Sequence, residues 1–364
     1  MTNELAPLQF GMFVMPVHDP AKPLTQCFDE DLELAQRCEE MKFADFWVGE
    51  HHSSSYENIV MPEIFIAKAL GFTESMRLGP APVCLAYHHP VHVAGRLAFL
   101  DHLSHGRLNV CFGPGAIPTD LEVFDVDPRQ SGERVAEAID MILKIWTSDP
   151  PYQMEGRFWR FRIKEQLDPE MGLGTLPKPL QRPYPPVFTP CISRGSRSIQ
   201  AAAERGFFPI SHHMISEEVL IDHWQTYSAA AEAVGREADR SEWSVSRNVF
   251  VADTTALAEQ LARQNSVGRC IEYILELTNR GPGLAMWKRN AEMADGDCNL
   301  DYFMDEVVIA GDPPTVVRKI KELHRRLGGF GKLVLVAHDW DDRSRWSRCL
   351  ELLSDEVIPA LRLA

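Results

Sequence analysis

The sequence predicts an α/β fold, a (β/α)8 or TIM barrel with insertions, that forms one domain over residues 1–364. Short apolar runs alternate with amphipathic helical stretches along nearly the whole chain, and eight of these runs are typical of strands. A length of 364 residues suits a barrel with added segments. A doubly wound open sheet is the alternative, because counting strands does not show closure, but the turn after the first strand, Met15-Pro16-Val17-His18, lacks the glycine-rich fingerprint of such a dinucleotide-binding sheet.

The strands are apolar segments bounded by turn residues. We predict them at residues 8–15, 46–49, 77–84, 107–112, 186–189, 207–210, 244–251 and 332–336. The helices show apolar residues three or four positions apart, as in Phe28, Leu32, Ala35 and Cys38. We predict helices at residues 28–41, 62–71, 89–104, 130–146, 196–205, 217–234, 312–327 and 346–361. Two stretches without such a period, at about 149–184 and 266–299, are predicted to be insertions.

Composition excludes several classes of protein. The chain has 37 Lys and Arg against 52 Asp and Glu, a net charge of −15, which argues against nucleic-acid binding. The longest uncharged stretch, about 79–95, is interrupted by prolines and histidines, so we expect no membrane span. The first basic residue is Lys22, which does not fit the basic start of a secretory signal. We therefore expect a cytoplasmic protein.

The eight cysteines have no metal-binding or disulfide pattern. No two of them are closer than eleven residues, so neither CxxC nor zinc-knuckle spacing occurs. Disulfide frameworks belong to short secreted chains. We expect reduced and mostly buried thiols.

Histidines are concentrated where a barrel places its active site, at the C-terminal ends of the strands. They follow predicted strands one, two, three and six: His18, the pair His51 and His52, the pair His88 and His89, and the pair His212 and His213. Imidazole suits proton transfer near neutral pH. A single loop histidine is more often a hydrogen-bonded surface residue, and His89 before Pro90 is interpreted as the start of a helix.

A metal site is the alternative for these histidines. Neighbouring residues of an extended segment point to opposite sides, so a pair of adjacent histidines does not readily supply two ligands. The chain also lacks the HExxH spacing of zinc proteases. We predict no metal.

The segment Ser193–Ser198, at a strand-to-helix junction, is a candidate phosphate site. A helix N-terminus offers free N–H groups, Gly195 allows close approach of a ligand, and Arg194, Ser196 and Ser198 add donors. The alternative is an ordinary serine-capped helix start. Arg134, in the first turns of its helix, is either a second phosphate contact or a solvated charge.

Several segments resemble the bacterial luciferase-like, flavin-dependent monooxygenases. They are residues 47–52 (WVGEHH), 100–107 (LDHLSHGR), 113–115 (GPG), 202–206 (AAERG) and 309–313 (IAGDP), in this order along the chain. The run at 113–120 (GPGAIPTD) and the closing 337–339 (AHD) resemble most the limonene monooxygenase and diketocamphane monooxygenase branch.

The resemblance implies a luciferase-like barrel and a two-component monooxygenase. A separate flavin reductase would supply reduced FMN, O2 would add at the flavin C4a, and the resulting peroxide would place one oxygen atom in a small, largely apolar organic substrate. The implied catalytic residues are His51, with His52 and Glu50 beside it. The implied cofactor contacts are Arg134, Gly113, Arg194, Gly195, Ser196 and Ser198. A transient contact with the reductase and a homodimer are also expected.

One departure from the family bears on the flavin site. The luciferase α chain has a reactive cysteine and then an arginine where this chain has Gly113 and Pro114, so light emission is not expected. Two alternatives stay open. One is a deazaflavin (F420)-dependent oxidoreductase of the same fold, and the other is a catalytically silent flavin-binding protein.

Overall fold

The structure is a computed structural model that describes residues 7–15 and 17–362. It forms two compact units. The first unit comprises Met1–Phe46, Ser55–Glu57 and Thr189–Ala364, and the second comprises Trp47–Ser54 and Asn58–Phe188. The two units are described separately below, and the expectation of one domain stays a prediction.

The first unit opens with a buried strand and an amphipathic helix. Strand β1 covers Gln9–Val14 and helix α1 covers Leu24–Glu40, and β2, Asp45–Val48, has its first two residues in this unit. Helix α1 buries Cys27, Leu34 and Cys38 on one face, as the apolar period predicts. Pro16, in the predicted turn after strand one, lies outside the described residues.

The second unit continues from β2 with α-helices and short strands. Its further elements are α2 (Pro62–Ala69), β3 (Arg77–Pro80), β4 (Val83–Cys84), α3 (Pro90–Leu103), β5 (Val110–Gly113), α4 (Pro118–Val123), α5 (Ser131–Thr147), β6 (Tyr152–Glu155), β7 (Arg160–Ile163) and the start of β8 (Val187–Cys191). Strands β4, β5 and β8 pair in parallel, and a parallel bridge joins Leu78 to Leu108.

The rest of the chain completes the first unit. Its elements are the end of β8, α6 (Arg197–Arg205), β9 (Phe208–Ser211), α7 (Glu217–Ala233), β10 (Ser244–Arg247), β11 (Val249–Val251), α8 (Thr255–Gln264), α9 (Ser266–Asn279), α10 (Leu300–Glu306), β12 (Ile309–Gly311), α11 (Pro313–Arg326), β13 (Lys332–Val336), α12 (Arg343–Leu352) and α13 (Ile358–Arg362).

Parallel pairing brings the C-terminal ends of several first-unit strands together. Strand β13 lies between β1 and β10, and β10 also pairs with β9. The registers join Phe13 to Val336 and Arg247 to Leu335. Parallel strands linked by helices are the arrangement of α/β proteins, in which ligands bind beyond the carboxyl ends of the strands.

Two predicted strands are interrupted in the structure. The strand predicted at 77–84 is divided into β3 and β4 at Ala81 and Pro82, because proline cannot donate a ladder hydrogen bond. The strand predicted at 244–251 is divided at Asn248, and its second part, β11, pairs with β12.

The predicted irregular stretches contain regular structure. Within 149–184, β6 and β7 form an antiparallel hairpin. The expectation of an irregular 266–299 is wrong for its first half, where Ser266–Asn279 form α9. Asn265 caps this helix by accepting from the N–H of Val267 at 2.8 Å, and Val267, Cys270 and Ile271 are buried at helical spacing. Helices α4 and α8 were not predicted, because α4 has only six residues and α8 buries only two alanines.

Burial agrees with the expectation for the cysteines. All eight are buried free thiols. Within the described residues, no helix is both long enough and apolar enough to cross a membrane.

Candidate active site

The loop that follows β2 carries the three residues predicted to be catalytic, and all three lie in the second unit. Nδ1 of His51 lies 3.1 Å from Oδ2 of Asp120, the third residue of α4. The backbone N–H of His51 donates to the carbonyl of Ile59 at 2.9 Å, which fixes the loop. The His51 imidazole is partly exposed, whereas the Asp120 carboxylate is buried. The pair therefore combines an accessible imidazole with a fixed acidic partner.

Asp120 holds this loop through both of its oxygens. Oδ1 accepts from the backbone N–H groups of His52 at 3.1 Å and Ser53 at 2.8 Å, and from the Ser53 hydroxyl. Burial alone would raise the pKa of Asp120, but the hydrogen bonds from His51 and Ser53 lower it below its ordinary value. Because an ionised carboxylate only accepts hydrogen bonds, Nδ1 of His51 carries the hydrogen, and Nε2 is the nitrogen that can take up a proton.

Glu50 is a second buried carboxylate, and it joins two further histidines. Its Oε1 atom accepts from Nε2 of His52 at 2.7 Å and from Nε2 of His88 at 2.5 Å, while Oε2 accepts from the N–H of Cys84 at 2.9 Å. The side chain is 1% exposed. Desolvation by burial raises the pKa of Glu50, but the bonds from His52 and His88 outweigh it and bring the pKa down to about 2. Glu50 thus orients both imidazoles and stays ionised, so it suits positioning rather than proton transfer.

Aromatic rings form an apolar wall next to His52. The rings of Tyr87 and Phe124 are stacked with centroids 4.9 Å apart. The ring of His52 meets that of Phe124 edge to face, with centroids 4.8 Å apart. The Tyr87 hydroxyl is buried without a hydrogen-bond partner in the described part of the chain, and burial raises the pKa of Tyr87 well above its usual value. It lies against Gly115, where a Cβ atom would be 1.9 Å from the hydroxyl oxygen. Only glycine is accommodated there, so the phenol is fixed in place.

Among the described residues, two groups of side chains have donor atoms close enough together to hold a metal ion. They are Glu50, His52 and His88 in the second unit, and His18, Cys27 and Asp339 in the first. In the former, the carboxylate already accepts from both imidazoles. In the latter, the ammonium group of Lys22 binds Asp339 at 2.8 Å. Both carboxylates therefore already have partners, and the prediction of no metal stays a prediction.

The other predicted histidines fall into two environments. His89 caps α3, accepting from the N–H of Val91 at 3.3 Å, which confirms its interpretation as a helix start. His212 and His213 are stacked with centroids 4.2 Å apart, and burial lowers the pKa of His212 to about 4. His18 is buried, with Nε2 3.6 Å from Asp31. His212 and His213, which follow predicted strand six, are therefore neutral at pH 7.

Arg134 lies in α5 of the second unit, and aromatic rings hold its guanidinium. The guanidinium carbon is 4.7 Å from the ring centre of Trp159 and 5.3 Å from that of Phe158. Nε donates to the carbonyl of Ala86 at 3.1 Å. The guanidinium is therefore held by neighbouring groups, and its contact with a phosphate stays a prediction. Gly113, the last residue of β5, is buried in the same unit, and its carbonyl accepts from the N–H of Leu85 at 2.9 Å.

The predicted phosphate segment begins α6 in the first unit. Ser196 is the N-cap, and its hydroxyl accepts from the N–H of Ser198 at 3.2 Å and lies 2.6 Å from the Ser198 hydroxyl. Gly195 has φ +54°, and its N–H donates to Asp222 at 2.8 Å. Arg194 donates to the backbone carbonyls of Glu218 and Arg289. The hydroxyls of Ser196 and Ser198 are accessible to a ligand. The N–H of Gly195, in contrast, is already hydrogen-bonded to Asp222.

Sequence reasoning missed the importance of Asp120 and His88. His88 was noted only among the strand-end histidines, and Asp120 only within the run 113–120. Pro118 is a local signal for Asp120. Proline favours the first position of a helix, so Asp120, two residues later, is predicted to lie in the first turn of that helix. The bond between His88 and Glu50 joins residues 38 positions apart, which no local pattern reveals.

Comparison with known proteins identifies the family. The family model of luciferase-like monooxygenases matches residues 8–329. A 2,5-diketocamphane 1,2-monooxygenase of Pseudomonas putida is 31% identical over 98% of this chain and 100% of its own length. A limonene 1,2-monooxygenase of Rhodococcus erythropolis is 30% identical over 99% of this chain and 88% of its own length. The oxygenase component of a flavin-dependent trigonelline monooxygenase of Acinetobacter baylyi is 30% identical over 71% of this chain and 69% of its own.

A solved structure extends the likeness to the fold. It is the oxygenating constituent of 3,6-diketocamphane monooxygenase from Pseudomonas putida, described as a type II Baeyer–Villiger monooxygenase in complex with FMN. It is 30% identical, covers 97% of this chain and 98% of its own, and superposes with a TM-score of 0.86. The predicted fold class is confirmed. The chain therefore belongs to the luciferase-like monooxygenase family of enzymes and has the (β/α)8 fold of that family.

Proposed function

We propose that this protein is the oxygenase component of a two-component monooxygenase that uses O2 and reduced FMN delivered by a separate flavin reductase. The observation that carries the proposal is the pairing of His51 with the ionised Asp120 in the loop after β2. The 30% identical relatives support it, since one is an oxygenase component and one is bound to FMN.

We infer that the substrate is a small, largely apolar ketone. The similar solved structure is described as a Baeyer–Villiger enzyme, and the other relatives carry the names of diketocamphane and limonene. In a Baeyer–Villiger oxidation, a ketone, O2 and reduced FMN give an ester or lactone, oxidised FMN and water. One oxygen atom enters beside the carbonyl carbon, and the other leaves as water.

The residues predicted to hold FMN have chemistry that fits its parts. FMN, when bound, supplies the electrons and the position at which O2 is activated. The hydroxyls of Ser196 and Ser198 at the start of α6 suit a phosphate, with Arg194 and Gly195 beside them. Arg134 is a cation already fixed in orientation, and Gly113, buried at the end of β5, is the remaining predicted contact. Asp222 opposes a phosphate at the Gly195 amide, so the serine hydroxyls carry this part of the proposal.

The role we propose for His51 is to hold and deliver a proton at Nε2. Asp120 fixes the hydrogen on Nδ1 and stabilises the positive charge that the ring acquires when Nε2 is protonated. Glu50, by orienting His52 and His88, keeps the neighbouring side of the loop in place. The transient reductase contact, a homodimer and a cytoplasmic location remain predictions.

Incubation with FMN, NADH, any flavin reductase and 18O2 tests the function. With a panel of cyclic ketones, some bearing a carboxylate, we expect a product that has gained one 18O atom, identified by mass spectrometry. A deazaflavin cofactor in place of FMN should give none. Oxidation of reduced FMN without any labelled product across the panel would favour a silent flavin-binding protein.

His51→Ala should keep FMN affinity but lose about 10²–10⁴-fold in oxygenation, because the positioned proton donor is gone. Electrons should then appear as free hydrogen peroxide, and product and peroxide per reduced FMN are the quantities to measure. Asp120→Asn should show the same defect in weaker form. The surface histidine variant His102→Ala is the control and should match the wild type. If His51→Ala gave as much product per reduced FMN as the wild type, His51 would have no role in the mechanism.

Arg134→Gln should weaken FMN about 10- to 100-fold while leaving riboflavin affinity nearly unchanged, because a charge-assisted bond to phosphate contributes about 1.5–3 kcal/mol. Glutamine keeps part of the packing on Trp159 and Phe158. The matched control is Arg157→Gln, whose exposed guanidinium also lies over Phe158, at 5.0 Å. Titration of both flavins by fluorescence decides the matter. An equal loss for both ligands would assign Arg134 to folding.

Glu50→Gln tests the buried carboxylate through pH. Its pKa in the folded protein, about 2, is below the ordinary 4.5, so ionised Glu50 stabilises the fold above pH 4.5 and this contribution disappears between pH 4.5 and about 2. The shift corresponds to roughly 3 kcal/mol. At pH 7 the Glu50→Gln variant should unfold at a lower urea concentration than the wild type. The difference between their urea midpoints should shrink as the pH falls from 4.5 to about 2. The exposed Glu122→Gln is the control. A variant as stable as the wild type at pH 7 would contradict the assignment.

A further inference from the structure

The strands β9, β10 and β13 are neighbours in the first unit, and a group of buried polar side chains lies at or just beyond their C-terminal ends. We call it the strand-end polar cluster. With Tyr302 of α10, its members are His213, Ser216, Arg247, Asn248, Tyr302 and His338. None is more than 7% exposed. This end of parallel strands is where barrels bind ligands.

Each member of the cluster has a polar atom without a hydrogen-bond partner among the described residues. These atoms are Nε2 of His213, Oγ of Ser216, Nη2 of Arg247, Nδ2 of Asn248, Oη of Tyr302 and Nδ1 of His338. A buried polar atom without a partner costs free energy, and folded proteins contain few of them. Five of them at or just beyond the ends of adjoining strands, together with Tyr302 of α10, indicate groups that are available to a ligand.

The members act on one another electrostatically. The charge of Arg247 lowers the pKa of both His212 and His213, and His338 acts on His213. Tyr302 in turn acts on Arg247. A direct contact joins two further members, since Nε2 of His338 lies 3.1 Å from Oδ1 of Asn248.

Arg247 is a buried cation without an ion-pair partner. Its Nη1 atom donates to the carbonyl of Ser246 at 3.0 Å, and none of the described carboxylates pairs with it. Glu217, whose charge reaches Arg247, forms its own ion pair with Arg326 at 2.8 Å. A buried charge normally requires an opposite charge beside it. Nη2 of Arg247 is thus a charged hydrogen-bond donor that an anionic acceptor would stabilise.

The histidines do not supply a second charge. Burial lowers the pKa of His338 to about 4 and that of His213 well below its usual value, so both rings are neutral at pH 7. Nε2 of His338 lies 3.1 Å from Oδ1 of Asn248. The cluster therefore has a formal charge of +1, which matches a group with one negative charge. A carboxylate combines that charge with two oxygens for the guanidinium fork.

Aromatic rings adjoin the cluster. His212 is stacked on His213, and its ring centre lies 5.0 Å from that of Trp287, which is 3% exposed. Trp287 belongs to the stretch predicted as an insertion, 266–299. Such rings suit the hydrocarbon part of a ligand whose polar end is held elsewhere.

We propose that the strand-end polar cluster binds an organic carboxylate, with Arg247 as the charged donor and His212 and Trp287 against the hydrocarbon. This rests on the proposed function in one respect: the ligand is the substrate, which is then a small apolar ketone that bears one carboxylate. The phosphate of FMN is the other anion that could occupy the cluster.

Equilibrium binding tests the proposal without any turnover. Calorimetry on the full chain should show that cyclohexanecarboxylate binds at least tenfold more tightly than its methyl ester. Arg247→Met should lose about 10- to 100-fold in carboxylate affinity, while its thermal midpoint stays the same or rises because an unpaired buried cation is gone. Arg107→Met is the matched control. Its guanidinium donates to the carbonyls of Thr73, Met76 and Ser104, so this variant should lose thermal stability and keep carboxylate binding.

A second variant guards against misfolding. Tyr302→Phe removes one unpartnered hydroxyl and should weaken the carboxylate several-fold with an unchanged midpoint. Equal affinity for acid and ester, or full carboxylate binding by Arg247→Met, would overturn the proposal. Weaker binding of FMN relative to riboflavin in Arg247→Met would assign the anion to the cofactor phosphate and overturn it too. Since none of these measurements requires oxygenation, they stand apart from the outcome of the 18O2 experiment.

Discussion

A carboxylate stays ionised inside a protein only when hydrogen-bond donors surround it, and this constraint organises the candidate active site. Glu50 meets it with two imidazoles and one backbone amide, and Asp120 meets it with one imidazole, two amides and a hydroxyl. Every donor that stabilises the charge is at the same time held by it. The loop after β2, the loop after β4 and the start of α4 are therefore fixed through two acidic residues.

The strand-end polar cluster shows the opposite arrangement. Around Glu50 the donors are provided by the protein itself, so the carboxylate needs no ligand. Around Arg247 the described residues provide a cation and several polar atoms but no carboxylate that pairs with it. The first arrangement fixes a site, and the second leaves a site incomplete. The residues that we propose for proton transfer thus belong to the second unit, and those that we propose for carboxylate binding belong to the first.

Sequence patterns predicted the elements well where one signal dominated. The strand at 332–336 and the helix capped by Asp312 were placed correctly, because a continuous apolar run and an Asp-Pro start are strong local signals. The prediction is wrong for α9, whose capping residue, Asn265, directly precedes the stretch predicted to be irregular. The candidate catalytic residues came from the end of strand two together with a family resemblance. Their partners Asp120 and His88 are 69 and 38 residues away from the residues they bind, so only the fold reveals them.

The histidines show why residue type and strand position alone do not identify a catalytic group. His51 and His212 both follow predicted strands, so residue type and strand position do not distinguish them. In the structure, His51 is partly exposed and has a carboxylate partner. His212 is instead stacked on His213 and lies beside the tilted ring of Trp287, and burial together with the positive charge of Arg247 keeps it neutral. A neutral, stacked imidazole suits contact with a ligand, whereas an imidazole with an acidic partner suits proton transfer. The partner of the ring, and not its place in the motif, therefore decides which role each histidine can take.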